Sequence, residues 1–261
     1  MHHEDLTVHA AGARLRVRRL IPRDAGAGPV LVFLHEGLGS IAQWKDFPAI
    51  LCQCLGLPGL VYERRGHGGS DSLAGPRPLD YHYHEAQVIL PQVLAACAVD
   101  DCILIGHSDG GTIALLYAAA FPERPRALIT EAAHVFVEEL TLTGIRATRE
   151  AFRVTDLAVR LARYHGTKTP ATFAGWAETW LAPEFRNWNI EHELPRIRCP
   201  ALILQGEADE YGTPEQVHAI ARGVSGSVRT LLIPDCGHVP HFQARDTVSK
   251  AMTEFIEAYR A

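Results

Sequence analysis

Three side chains of this sequence have the types that can jointly cut an acyl bond, and each follows an apolar run. Ser108 stands in Gly106-His107-Ser108-Asp109-Gly110, a G-x-S-x-G string between the run Cys102-Ile103-Leu104-Ile105 and a helix-forming stretch over 112–121. A strand that reverses into a helix this tightly brings the two flanking positions together, where a Cβ would clash. The serine hydroxyl is thereby lifted out of the sheet, in front of a helix N-terminus. Its unpaired N–H groups and partial positive charge suit a nucleophile that passes through an oxyanion. The same five residues also fit an ordinary strand-to-helix loop capped by a serine, so the partners decide. A serine hydroxyl needs a positioned base, usually a histidine oriented by a carboxylate. Two late turns offer these groups. Leu204-Gln205-Gly206-Glu207-Ala208-Asp209 ends a strand and presents Asp209, and Ile233-Pro234-Asp235-Cys236-Gly237-His238 presents His238.

The elements that must hold these groups alternate between strand and helix. Strands are expected over 6–10 and 14–21, paired as a hairpin around Gly12, then over 30–34, 59–63, 102–105, 126–130, 201–205 and 228–233. Most are unbroken apolar runs, such as Val30-Leu31-Val32-Phe33-Leu34, the mark of strands covered on both faces. Helices are expected over 44–55, over 83–99 with a kink at Pro91, and over 112–121, 214–222 and 242–259. This rhythm implies an α/β fold, a mostly parallel central sheet with helices on both faces. It breaks between about 134 and 198, which read as several helices without a strand. An insertion there would sit over the C-terminal ends of the strands, where ligands of open α/β sheets bind.

Composition narrows the function classes. At 261 residues the chain can form one large domain or two small ones, and 47% hydrophobic with 21% charged residues is ordinary for a soluble globular protein. A net charge of −5 gives no general basic footprint for nucleic acid. No apolar run reaches eighteen residues, so no membrane span is expected. The start, Met1-His2-His3-Glu4-Asp5, lacks the pattern of a secretory signal, and a cytoplasmic protein is expected. The six cysteines show no C-x-x-C spacing and read as buried small hydrophobes. Fourteen histidines raise the question of metal, but no ligand pair such as H-E-x-x-H occurs. Neither a metal nor another cofactor is expected.

Along nearly its full length the chain resembles the α/β-hydrolase fold superfamily, as a serine esterase-like member with a helical cap. Residues 106–110 match the family's nucleophile elbow, Gly206-Glu207-Ala208-Asp209 its G-x-x-D acid turn, and Gly237-His238 its histidine loop. The loop Arg65-Gly66-His67-Gly68-Gly69-Ser70 resembles the family's R-G-x-G-x-S turn. The resemblance implies a core domain of 1–133 and 199–261 and a helical cap over 134–198. It implies Ser108, Asp209 and His238 as catalytic residues, and the backbone N–H groups of Gly37 and Asp109 as the oxyanion hole. One departure stands out. Where the family often has His-Gly, this chain reads His35-Glu36-Gly37, with Glu36 in the glycine's place. Glu36 is expected as a charge at the pocket rim or paired with an arginine such as Arg64 or Arg65; the other reading makes it a local acid that modifies the chemistry or binds a polar substrate group. Asp209 is favoured over Glu131, the position from which some members take their acid. His238 is favoured over His241 because it follows the loop glycine. His67, His107 and Glu210 are expected to shape their turns.

The reaction implied is hydrolysis of a carboxylic ester or thioester through an acyl-enzyme, with a small-molecule ester as partner. A serine at the elbow argues against the family's epoxide hydrolases and haloalkane dehalogenases, which use an aspartate there. Two alternatives stay open: C–C bond hydrolysis or perhydrolase chemistry on the same triad, and a small-molecule receptor with slow turnover. Glu36, Phe136, Trp176 and Trp180 are candidate pocket residues, beside Phe152, Phe173 and Trp188, although any one aromatic could instead pack the cap helices together. Arg146, Arg149 and Arg153 fall at helical spacing and would suit an acyl carrier protein. Glu138, Glu139, Glu150 and Asp156 around them favour a solvated, balanced face instead. Nothing in the helix surfaces marks an oligomeric state.

Overall fold

The computed structural model describes residues 1–260. The chain opens with β1 (His2–Ala10) and β2 (Ala13–Ile21), joined through Ala11 and Gly12 at φ 45° and 73°. Two successive positive φ values are what a two-residue turn between twisted strands requires. Then follow β3 (Val30–Leu34), α1 (Phe47–Leu55), β4 (Gly59–Tyr62), α2 (Tyr81–His84), α3 (Leu90–Ala96), β5 (Cys102–His107), α4 (Asp109–Ala120) and β6 (Pro125–Glu131). Three helices come next, α5 (Glu139–Val154), α6 (Leu157–His165) and α7 (Thr169–Leu181). The chain closes with β7 (Ala201–Gly206), α8 (Glu215–Gly223), β8 (Val228–Ile233), α9 (Pro240–Gln243) and α10 (Arg245–Tyr259). The eight strands form one sheet in the order β1-β2-β4-β3-β5-β6-β7-β8. The β1–β2 and β2–β4 pairs are antiparallel and the rest parallel. This is the α/β-hydrolase fold.

The unbroken apolar runs divide by the two-residue period of a strand. Val32, Leu104 and Ile203 face a core shared with Ile113 and Leu116 of α4 and Ile220 of α8. Their neighbours Leu31, Phe33, Ile103, Ile105 and Leu202 face a second core with Leu51 of α1 and Met252, Phe255 and Ile256 of α10. Each such side chain, fully buried, contributes roughly 2 kcal/mol. Helix α4 is buried on every side from Asp109 to Ala119, and a helix apolar all round belongs inside. A third cluster, Ile145, Leu161, Phe173, Trp176, Trp180 and Phe185, joins α5, α6 and α7 to one another. Among the described residues no helix is long and apolar enough to cross a membrane. All six cysteines are unpaired, and five of them are buried.

Three expected helices are broken. Residues 44–55 divide at Lys45, whose φ of 52° no helix accommodates; a short turn precedes it and α1 follows. The helix expected over 83–99 begins earlier and contains a widened turn, Glu85–Ile89, between α2 and α3. Pro91 lacks the N–H that a regular turn would use, and a wide turn ahead of it is one way a helix absorbs that loss. The C-terminal helix splits at Ala244 into α9 and α10.

Candidate active site

The site grows out of the end of β5. His107 is the last strand residue, Ser108 turns the chain at φ 52° and ψ −118°, and α4 begins at Asp109. That conformation is strained for a residue with a Cβ, and the surroundings impose it. The Ser108 N–H donates to the Glu131 carbonyl of β6 at 2.8 Å, and its carbonyl accepts from Thr112 N–H at 3.1 Å. A Cβ on Gly106 would land on the Gly110 carbonyl, and one on Gly110 on the Leu34 carbonyl. Both obstacles are backbone, so neither can move aside. Gly110→Ala should therefore cost on the order of 3 kcal/mol, read as a lowered urea midpoint; a shift within error would mean that the elbow is looser than drawn.

The groups that the sequence points to come together. His238 Nε2 lies 3.0 Å from Ser108 Oγ, and His238 Nδ1 lies 2.9 and 3.0 Å from the two Asp209 carboxylate oxygens. A carboxylate only accepts, so Nδ1 carries the proton and Nε2 is free to accept from the serine. Ser108 and His238 are each 9% exposed. Asp209 stands on the turn after β7, where a Cβ on Gly206 would meet the Cys236 carbonyl, so the acid turn and the histidine loop are pressed together. Burial pushes the Asp209 carboxyl up, but its hydrogen bond to His238, the charge of that ring and the Tyr211 N–H outweigh burial and hold it below its ordinary value. The backbone of His238 is held at both ends. Its N–H donates to Glu210 at 3.3 Å, and its carbonyl accepts from His107 Nε2 at 2.7 Å.

Gly37 and Asp109 line the same cavity of about 350 Å³ as Ser108 and His238. Asp109 is the first residue of α4, where an N–H has no partner within the helix. Its side chain is buried against Tyr81 Oη at 2.7 Å, His82 Nε2 at 3.4 Å and Arg64 Nη2 at 3.7 Å. Burial pushes the Asp109 carboxyl up, but these three partners outweigh it and hold it well below the usual carboxylate range. The rest of the cavity wall is largely apolar, with Ile145, Leu157, Leu161, Trp176 and Trp180 among its side chains.

The structure places the candidates Glu36 and Phe136 differently, the first at the rim of the cavity and the second away from it. Glu36 lines the cavity, but its carboxylate pairs with neither Arg64 nor Arg65. It lies 3.8 Å from His107 Nδ1 at 27% exposure, and Arg64 instead donates to the Glu36 main-chain carbonyl at 2.8 Å. Burial pushes the Glu36 carboxyl up, and His107 more than offsets this and lowers it. Phe136 is not a wall residue. Its backbone bridges to Asn189, its carbonyl accepts from Gln216, and its ring packs on the core beneath. Phe152 and Phe173 stack on each other at 3.8 Å, as do Phe185 and Trp188 at 5.2 Å, so these rings pack the helices together. Arg146, Arg149 and Arg153 pair at the surface with Glu139, Glu178 and Glu150. Glu131 and His241, the competing acid and base, pair with each other at 2.7 Å.

Sequence reasoning missed Tyr81 and His82 beside Asp109, and Tyr211, whose ring lies 4.7 Å from that of His238. Arg64, named there only as a candidate partner of Glu36, is a fully buried arginine between two loops. Its signal was position, two residues after β4, the strand that neighbours β3.

Comparison with known proteins gives the family. The human protein named serine hydrolase BPHL is 28% identical over 208 residues, covering 76% of this chain and 69% of its own length. Lipase 1 of Psychrobacter immobilis is 24% identical over 259 residues, covering 90% of this chain and 80% of its own. The crystal structure of an enol-lactonase from Burkholderia xenovorans superposes with a TM-score of 0.76 at 20% identity, over 97% of this chain and all of that one. The sequence model of the alpha/beta hydrolase family matches residues 31–251, a span that takes in the elbow, the acid turn and the histidine loop, and the chain belongs to that family.

Proposed function

We propose that the protein hydrolyses carboxylic esters of small molecules through an acyl-enzyme on Ser108. His238 takes the Ser108 proton as the oxygen attacks the carbonyl carbon, and Asp209 holds the ring and stabilises its charge. The N–H groups of Gly37 and Asp109 receive the oxyanion, each such donor being worth on the order of 3 kcal/mol of barrier. His238 then gives its proton to the departing alcohol, and water activated by the same ring releases the acid. Residues 134–198 act as a cap over the core domain of 1–133 and 199–261, and their apolar side chains receive the acyl chain. The observation that carries this reading is the unbroken line from Ser108 Oγ through His238 to Asp209 on the wall of the cavity. A lipase among the relatives supports an ester as the bond cut.

A panel of p-nitrophenyl esters of increasing acyl length tests the proposal. Turnover should be greatest for short to medium chains, given a cavity of about 350 Å³. Trp176 closes the cavity over Gly37, since a Cβ at Gly37 would touch its indole. Trp176→Ala should shift the ratio of kcat/KM for long over short chains upward by roughly tenfold, the usual scale of apolar pocket discrimination. No turnover anywhere in the panel, together with no labelling of Ser108 by a fluorophosphonate, would end the ester reading.

A further inference from the structure

The loop that supplies Gly37 is held by its carbonyls. Arg64 Nη1 donates to the His35 carbonyl at 2.5 Å, and Arg64 Nη2 donates to the Glu36 carbonyl at 2.8 Å. His35 Nε2 accepts from the Arg64 backbone N–H at 3.1 Å, so its proton is on Nδ1, which donates to the Glu36 carbonyl at 2.7 Å. His67 Nε2 lies 3.0 Å from the Gly37 carbonyl, and His165 Nε2 lies 2.8 Å from the Leu38 carbonyl. Four successive carbonyls thus each meet a side-chain nitrogen, and the Glu36 carbonyl also takes the Gly39 N–H at 3.1 Å. In a trans peptide the C=O and the next N–H point in opposite directions, and no cis bond occurs among the described residues. Fixing the Glu36 carbonyl therefore fixes the Gly37 N–H, and fixing the two carbonyls that follow immobilises the glycine itself. Glycine has no side chain to do this.

Three of these donors lie in or beside the strand ends of the core. The fourth does not: His165 ends α6, between β6 and β7. Its Nδ1 accepts from the Gly68 N–H at 3.1 Å, so Nε2 carries the proton and donates to Leu38. Burial lowers its pKa, in the direction of the neutral ring that this pair of bonds needs. Nearby, Lys168 Nζ donates to the Gly68 carbonyl at 2.6 Å, and Thr172 Oγ1 to the Gly66 carbonyl at 2.5 Å. The segment from 165 to 172 thus grips the 66–70 loop, and His165 alone extends that grip to the loop bearing Gly37.

We propose that His165 is a positioning residue for the oxyanion hole, whose bond to the Leu38 carbonyl reaches across from α6 and steadies the turn that bears the Gly37 N–H. The inference rests on Gly37 being an oxyanion donor. His165→Phe keeps a ring but removes both polar atoms, His165→Gln restores a donor and an acceptor, and Lys168→Met weakens the same docking without touching the Leu38 carbonyl. The readouts are kcat/KM on a short p-nitrophenyl ester, and the Ki values of a trifluoromethyl ketone, which adds Ser108 and forms an oxyanion, and of the matching unreactive amide.

His165→Phe should lower kcat/KM by roughly ten- to a hundredfold, the scale of a small misplacement at a reacting centre. It should weaken the ketone by a similar factor while leaving the amide within twofold. His165→Gln should recover most of the loss, and Lys168→Met should lower the melting temperature with kcat/KM little changed. If His165→Phe does not fold, His165→Ala serves the same comparison. Equal losses for ketone and amide, or kcat/KM unchanged in a folded variant, overturn the inference and leave the ester reading standing. Native protein that turns over no ester and binds no ketone overturns both.

Discussion

Ser108→Ala is expected to lower ester turnover by about 10⁴- to 10⁶-fold while leaving the folded protein essentially as stable as before. The size of the loss follows from the way such a unit works. Without the serine oxygen, His238 and Asp209 have nothing to activate for covalent attack, and what remains is the oxyanion pocket and binding. The small stability effect follows from the contacts. Among the described residues the only hydrogen bond made by Ser108 Oγ is to His238, and losing one such bond costs about 1 kcal/mol. Alanine at φ 52° carries the same Cβ strain as serine. Ser108→Gly separates the two effects. It should be as inactive, but more stable than Ser108→Ala by about 1 kcal/mol or more, because glycine relieves the left-handed conformation. Initial rates on a short ester and urea midpoints measure both. Substantial activity in Ser108→Ala would remove this serine from the chemistry altogether.

That prediction was available from the sequence because the reacting groups sit where local rules are strongest. The strand Val30–Leu34 is an unbroken apolar run and could be read residue for residue. The elbow glycines are required by backbone approach, which leaves a pattern in the chain. What escaped depends on which distant segments meet. Arg64 looks like any loop arginine until His35 and Glu36 turn their carbonyls to it. Glu36 was expected at the pocket rim or beside an arginine, the common partner of a carboxylate, but Arg64 and Arg65 donate to backbone carbonyls instead, and His107 is the titratable ring that Glu36 faces. His165 lies 127 residues from Leu38, and no spacing rule connects them. The broken helix at Lys45 and the unused Phe136 have the same origin: tertiary packing overrode a pattern that was locally sound.

Asp209→Asn should lower kcat/KM by about 10⁴-fold, and Glu131→Gln by far less. An asparagine amide facing Nδ1 favours the wrong tautomer of the histidine, with its proton on the atom that must accept from serine. Glu131 has another occupation. One carboxylate oxygen is bound by His241 Nδ1, and both side chains are almost wholly buried. Removing one partner of a buried pair leaves the other uncompensated, so Glu131→Gln should appear in the unfolding midpoint more than in the rate. Acid titration distinguishes the two carboxylates further. The Asp209 carboxyl in the folded protein lies below its unfolded value, with His238 as the cause that outweighs burial. Its contribution to stability is therefore present above the unfolded pKa and is lost as pH falls through the folded one. Asp209→Asn should flatten that part of the acid limb of stability against pH while abolishing turnover at neutral pH. A greater loss of kcat/KM in Glu131→Gln than in Asp209→Asn would transfer the role of acid to β6. The line from Ser108 through His238 would then have to end at a different carboxylate.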